Sequence, residues 1–308
     1  MVGVLVGFAI VAAVIVTGYL VGRLRVLGDS ADHVLSRISF FVLSPCLLFT
    51  VLAGADPHVL FSTQLPITAI ACVVSIAVYA FVAIVVWRRD IATTTVGALT
   101  VSYANAGNLG IPLSVYVLGD PAASVPVLLF QLVVIAPISL TILDLTTTGR
   151  ISLARVLTQP VRNPLIIGSL AGLAIAVFEW DVPDVVMQPF ILIGGAAIPV
   201  VLLNFGLSLS LSRPLGPGSP RAQVVVATVV KLAIAPLVAW AVGRFLFGLD
   251  GHALFVATVL AGLPTAQNIY NYARRYERGI VHARDTIFVT TIASLGTVSL
   301  IAALLAGG

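Results

Sequence analysis

A run of about twenty predominantly apolar residues returns ten times along this chain, and that is the length of helix that crosses the hydrocarbon of a bilayer. The runs cover roughly residues 2–22, 34–54, 64–87, 93–118, 122–145, 161–179, 187–211, 222–247, 252–273 and 283–306. Lipid offers the backbone no hydrogen-bond partner, so such spans must be helices. Composition agrees: 59 % of residues are hydrophobic and 9 % charged, against about a quarter charged in soluble domains. The expectation is an all-α integral membrane protein with ten transmembrane helices held in the lipid bilayer. No basic segment precedes the first run, so residues 1–22 read as a span rather than a cleaved leader.

The charges set a topology. Fourteen arginines, from Arg23 and Arg25 to Arg278 and Arg284, follow the odd-numbered runs, and only Arg244 falls in an alternate loop. Those alternate loops carry Asp56, Asp120, Glu179, Asp181, Asp184 and Asp250. The positive-inside rule makes the arginine-rich side cytoplasmic. Both termini are then extracytoplasmic, in a plasma (inner) membrane. The net charge of +4 is thus a matter of topology and implies no nucleic-acid partner. The preference for Arg over Lys and for Ala and Val is what a GC-rich bacterial genome encodes.

Ten spans divide into two fives of opposite orientation: residues 1–148, a short cytoplasmic link at 149–160, and residues 161–308. The halves carry matching interruptions. Run 2 has Pro45 and run 7 has Pro199. Run 4 reads SYANAGNLGIPLSVYV and run 9 reads ATVLAGLPTAQNIYNYA, each with a glycine ahead of a proline, Pro112 and Pro264, and amides nearby. Matched breaks in an inverted repeat point to a transporter's binding site. Proline removes an N–H and clashes with the preceding turn, so helix 4 is expected to split near Gly107–Pro112 and helix 9 near Ala261–Thr265. Half-helix N-termini favour an anion. Asn105, Asn108, Gly110, Thr265, Gln267, Asn268 and Asn271 lie at or beside the breaks, and their amides would supply neutral donors and acceptors.

NAGNLGIPL in run 4 and LPTAQNIYNYARRYE in run 9, with LSPCLLF, AAIPVVLLNFGLSL and KLAIAPLVAW, resemble the auxin efflux carrier family of ten-helix secondary transporters, over essentially the whole chain. The resemblance implies broken, crossing helices 4 and 9, in a fold shared with sodium/proton antiporters and bile-acid symporters. It also implies a scaffold of helices 1, 2, 6 and 7, a transport domain of helices 3–5 and 8–10, elevator-type motion and a homodimer. The family's substrate-lining prolines and asparagine correspond to Pro112, Pro264, Asn108 and Asn105. The link between the halves is short, and run 3 lacks the acidic residues of the plant auxin exporters, which argues against plant-like specificity.

Lys231 stands out as a charge well inside a span, where it either attracts a carboxylate or satisfies broken-helix carbonyls. Asp144 reads as a carboxylate snorkelling to the interface, with a proton-coupling role as the alternative; Asn204 reads as a helix-to-helix bond, with a substrate contact as the alternative; Gln131 and Tyr103 read as possible site liners. His33, His58, His252 and His282 fall in or beside loops and read as interfacial. Cys46 and Cys72 read as small apolar residues. No metal, cofactor or enzyme motif is evident. The function expected is export of a small organic anion, an auxin-like aromatic acid or a carboxylate, driven by membrane potential. The alternative is a sodium- or proton-coupled symporter of an organic anion.

Overall fold

The computed structural model describes residues 2–28, 30–55, 63–148, 163–211 and 215–305. Asp56, His58, Arg150, Arg155, Arg162, Arg213 and the expected link at 149–160 lie outside the described residues. Among the described residues the chain is helical throughout, with extended pairing confined to an isolated bridge between Ala104 and Thr265.

The helices follow the apolar runs. They are α1 (Val2–Arg23), α2 (Ala31–Ala53), α3 (Gln64–Val86), α4 (Ile91–Ser102), α5 (Ala106–Leu118) and α6 (Val125–Thr147). Then come α7 (Pro164–Val177), α8 (Asp184–Ser210), α9 (Arg221–Leu246), α10 (Gly251–Ala261), α11 (Asn268–Tyr276) and α12 (Ile280–Leu305). Six of these, α2, α3, α6, α8, α9 and α12, are each long and apolar enough to cross a membrane, and shorter apolar helices accompany them.

The prolines act differently from expectation. Ser44, Ile111, Ala136 and Ala235 each immediately precede a proline, and each donates its N–H five residues back, to Ser39, Ala106, Gln131 and Val230. A widened turn thus absorbs the ring and the missing donor, and the helix continues. The run 4 helix therefore does not split at Gly107–Pro112. It breaks earlier, at Tyr103–Asn105, and Pro112 lies inside α5. The run 9 break covers residues 262–267 and contains Pro264, close to expectation. In α8 a single non-helical residue, Ala196, interrupts the helix, just after Gly194–Gly195 and three residues before Pro199, which cannot donate to the Gly195 carbonyl.

One turn occurs twice. Trp87 N–H donates to Val82 at 3.1 Å and Arg89 to Ala83 at 2.9 Å; Phe247 donates to Val242 at 3.1 Å and Leu249 to Gly243 at 2.8 Å. Arg88 and Gly248 take the same left-handed conformation, with φ of 53° and 64°. Asp90 and Asp250 then precede α4 and α10.

α1 lies along α8, and α2 against α7 and α8, while α5 packs on both α1 and α8. The α1–α8 approach is backbone to backbone: a Cβ on Gly206 would run into the Ile15 carbonyl, and one on Gly18 into that of Leu203. Small residues at membrane-helix interfaces permit this. α3, α4, α6, α9, α10 and α12 surround the two breaks.

Candidate functional site

At the breaks, two extended segments cross. Asn105 N–H donates to the Pro264 carbonyl at 2.8 Å and Ala266 N–H to the Tyr103 carbonyl at 3.0 Å, flanking the Ala104–Thr265 pair. That pair's own polar groups face outward from the bridge and find side chains. Gln131 of α6, with its amide turned to suit, donates to the Ala104 carbonyl at 2.9 Å and accepts from its N–H at 3.2 Å. Thr265 N–H donates to Thr290 Oγ1 of α12 at 3.2 Å, and the Thr265 hydroxyl donates to the Thr100 carbonyl at 2.6 Å.

The helix ends at the crossing are also served. Cys72 Sγ donates to the carbonyl of Ser102, the last residue of α4, at 3.3 Å. Lys231 Nζ donates to that of Ala261, the last of α10, at 3.3 Å. Lys231 is 3 % exposed and lines a small cavity with Thr68, Cys72, Ser75, Ser102 and Gln131. Its ammonium thus meets a helix's negative end, the second of the two roles open to it in the sequence. At the opposite ends, Asn105 caps α5: its Oδ1 accepts from Asn108 N–H at 3.3 Å, as asparagine does at helix starts.

The expected site residues fall into two sets. Asn105, Thr265 and Pro264 form the crossing itself and are buried. Gly110 is buried in packing: a Cβ there would lie 3.1 Å from Leu263 and 3.3 Å from Ser124. Asn108, Gln267 and Asn268 are half-buried, and Asn271 is exposed. Gln267 Nε2 reaches Ser208 of α8 at 2.9 Å. Pro112 lies in a narrow seam with Gly107, facing Ser44 and Leu47 of α2 and Ala197, Ile198 and Val201 of α8. Three buried polar atoms, Asn105 Nδ2, Tyr103 Oη and Asn268 Oδ1, have no hydrogen-bond partner among the described residues.

Other residues depart from expectation. Asp144 does not snorkel: it is buried and accepts from the Tyr276 hydroxyl at 2.8 Å. His282, beside a loop in the first turn of α12, is buried within the protein, and Asp285, unremarked in the sequence, is a second buried ionisable group on α12. The signal was present: His282, Asp285, Thr286 and Thr290 recur at helical spacing on one face of a span. Asn204 Nδ2 bonds across to Ser36 of α2 at 2.9 Å, as expected.

Apolar helices long enough to cross a bilayer, gathered around a polar crossing of two helix breaks, are the frame of a multi-pass membrane transporter. Residues 4–150 and 146–302 match the family described as "Membrane transport protein", and the chain belongs to it, the auxin efflux carrier family. The chain is 24 % identical, over 92 % of its own length and 89 % of the other's, to the "Putative malonate transporter" of Rhizobium meliloti (strain 1021). It is 26 % identical, over 92 % and 93 %, to an "Uncharacterized transporter" of Methanothermobacter thermautotrophicus (strain Delta H). The family and both relatives are named for transport rather than for catalysis.

Proposed function

We propose that the chain is a carrier that exports a small organic anion, in the first instance a short carboxylate, across the plasma membrane by alternating access. The crossing carries this reading. The two bonds on either side of Ala104–Thr265 exchange donor and acceptor between the segments, as a two-fold relation between two inverted halves requires. The twice-used turn before α4 and α10 supports the same relation. Counting α4/α5 and α10/α11 as one broken span each gives ten spans in two inverted sets of five, with both termini extracytoplasmic.

In this reading α1, α2, α7 and α8 form the scaffold, and the remaining helices form an elevator domain carrying the crossing. The chain works as a homodimer. The substrate's charge meets the N-terminal ends of α5 and α11, where Asn105, Asn108, Gln267 and Asn268 hold it with Pro112 and Pro264 shaping the wall. Lys231, behind the crossing, adds fixed positive charge. The malonate in the name of the Rhizobium meliloti relative supports a carboxylate. An inside-negative potential expels anions: one charge through 100 mV is worth about 2.3 kcal/mol, or a gradient of about fortyfold. A dianion doubles the energy, so export needs no coupling ion.

The test is charge movement from purified protein in liposomes, with malonate, malate, citrate, benzoate and indole-3-acetate, each with and without sodium. A saturable, sodium-independent current that is lost in Asn108→Ala, with folding intact, is expected. A current seen only with sodium would replace this reading with a symporter, and full activity in Asn108→Ala would remove that residue from the site.

A further inference from the structure

Beyond the crossing, the buried polar side chains gather around one imidazole. His282, in the first turn of α12, is 3 % exposed. Its ring stacks on Tyr79 of α3 at 5.8 Å. Nε2 lies 3.1 Å from the Tyr79 hydroxyl and 3.5 Å from that of Thr100 in α4, and Nδ1 lies 3.4 Å from the Thr286 hydroxyl. The connections continue inward. Thr290 Oγ1 donates to the Thr286 carbonyl at 2.7 Å and accepts from the Thr265 N–H at 3.2 Å. The Thr265 hydroxyl donates to the Thr100 carbonyl at 2.6 Å, which closes a ring back to His282. Thr100, Thr265, Thr286 and Thr290 are all fully buried.

Asp285, one turn along the same face, is fully buried too. Its Oδ1 accepts from Arg284 Nε at 2.8 Å, and its Oδ2 has no partner among the described residues. The ionisable groups facing His282 are Tyr79 from α3, Arg89 from the turn before α4, and Asp285 on α12 itself. Arg284 bonds Asp285, and from α9 the neutral Gln223 engages the Arg89 guanidinium at 2.7 and 2.9 Å. α4 presents only the neutral Thr100 to the ring.

We propose that His282, backed by the Asp285 carboxylate, is a proton-binding site joined by hydrogen bonds to the break between α10 and α11, so that proton uptake there loosens the crossing. This rests on the reading of the crossing as the translocation site. In the neutral ring the Tyr79 hydroxyl donates to Nε2, and Nδ1–H donates to Thr286. A proton taken from water adds an N–H at Nε2, and nothing else is gained or lost. Tyr79 then turns from donor to acceptor. Thr100 also accepts, because its own proton is committed to the Gly97 carbonyl at 2.6 Å. The new positive charge is balanced by Asp285. A glutamine would hold the threonines equally well; what the imidazole adds is the capacity to charge, and ionisable groups inside spans are costly and mark proton pathways.

The experiment needs no substrate, so its failure is separable from failure of the anion reading. The full chain in lipid nanodiscs is followed by amide hydrogen exchange from about pH 8 down to about pH 3.5, the usual histidine range and the range below it, and corrected for intrinsic rates. Protection of the Thr265 amide should fall about tenfold on acidification in the wild type and by less than about twofold in His282→Gln. Asp285→Asn should shift the fall to lower pH. A flat wild-type profile, or a His282→Gln profile that follows the wild type, overturns the proposal. Should His282→Gln not fold, an NMR titration of the His282 ring, in a chain whose other three histidines are replaced by glutamine, decides. A ring signal that does not move overturns the proposal, and one that moves together with the Thr265 amide upholds it.

Discussion

Replacing Gln131 by leucine tests the crossing at the side chain that engages both backbone polar groups of Ala104. The side chain is 2 % exposed and pairs with both the N–H and the carbonyl of Ala104. Leucine has similar bulk and no polar atom, so the Ala104 N–H loses its partner, while the Ala104 carbonyl keeps the Ala106 N–H at 2.8 Å. One unsatisfied buried group costs about 1–3 kcal/mol. At about 2 °C per kcal/mol for a chain of this size, the unfolding midpoint should fall by about 2–6 °C. The assay is thermal unfolding of both proteins in one detergent at one scan rate, together with hydrogen exchange in the 103–106 segment. Exchange at the Ala104 amide should accelerate by about fivefold to a hundredfold, since each 1.4 kcal/mol is a decade. Val133→Leu, on the exposed side of α6, serves as control and should change neither. An unaltered midpoint and exchange within about threefold of the wild type in Gln131→Leu would refute the claim that this amide completes the crossing.

Gly206→Ala should destabilise the chain although alanine is the better helix former by about 1 kcal/mol. The added methyl meets the Ile15 carbonyl, and overpacking of this kind costs about 1–3 kcal/mol or more; a raised unfolding midpoint would count against close α1–α8 contact. Asp90, outside the spans, caps α4 through Thr93 N–H at 2.9 Å and Thr93 Oγ1 at 2.7 Å. Partial burial pushes its carboxyl up, but the Thr93 bonds and Arg278 outweigh it and hold the group below its ordinary value. Its stabilisation is therefore complete above the unfolded pKa of about 4 and is lost as pH falls through the lower folded value. Asp90→Ala should abolish the acid-dependent fraying of the start of α4 seen by hydrogen exchange, and equal fraying in both proteins would refute the cap.

What the sequence reveals here is what depends on local pattern. Apolar length places every run within a few residues of a helix, because lipid leaves few alternatives. The second break is legible because Pro264 stands in it. The first is not, because Pro112 looks like a breaker and is absorbed by the widened Ala106–Gly110 turn. The real break depends on pairing with Pro264 and Gln131, residues far away in the chain. His282 was hidden for a related reason. The α12 helix starts at Ile280, three residues before the apolar run suggests, and α3 and α4 pack over its first turn. Burial of a residue at a span's edge is decided by its neighbours, which the local sequence does not contain.

Breaking two helices inside a membrane exposes backbone groups to a medium that cannot bond them, at several kcal/mol each. This chain closes most of the opening with single side chains from neighbouring helices. Gln131 serves Ala104, Thr290 and Thr265 serve the partner strand and α4, and Cys72 and Lys231 serve the ends of α4 and α10. The satisfied groups include the carbonyl-bearing, C-terminal ends of the half-helices. Of the buried side-chain atoms left unpaired among the described residues near the crossing, Asn105 Nδ2 and Tyr103 Oη are donors, and they lie at or beside the start of α5, where the helix dipole is positive. In the proposed reading an anion's oxygens accept from these donors, and the loaded crossing is then more stable than the empty one. The same asymmetry would discriminate against an apolar solute, which buries the donors and leaves them unpaired.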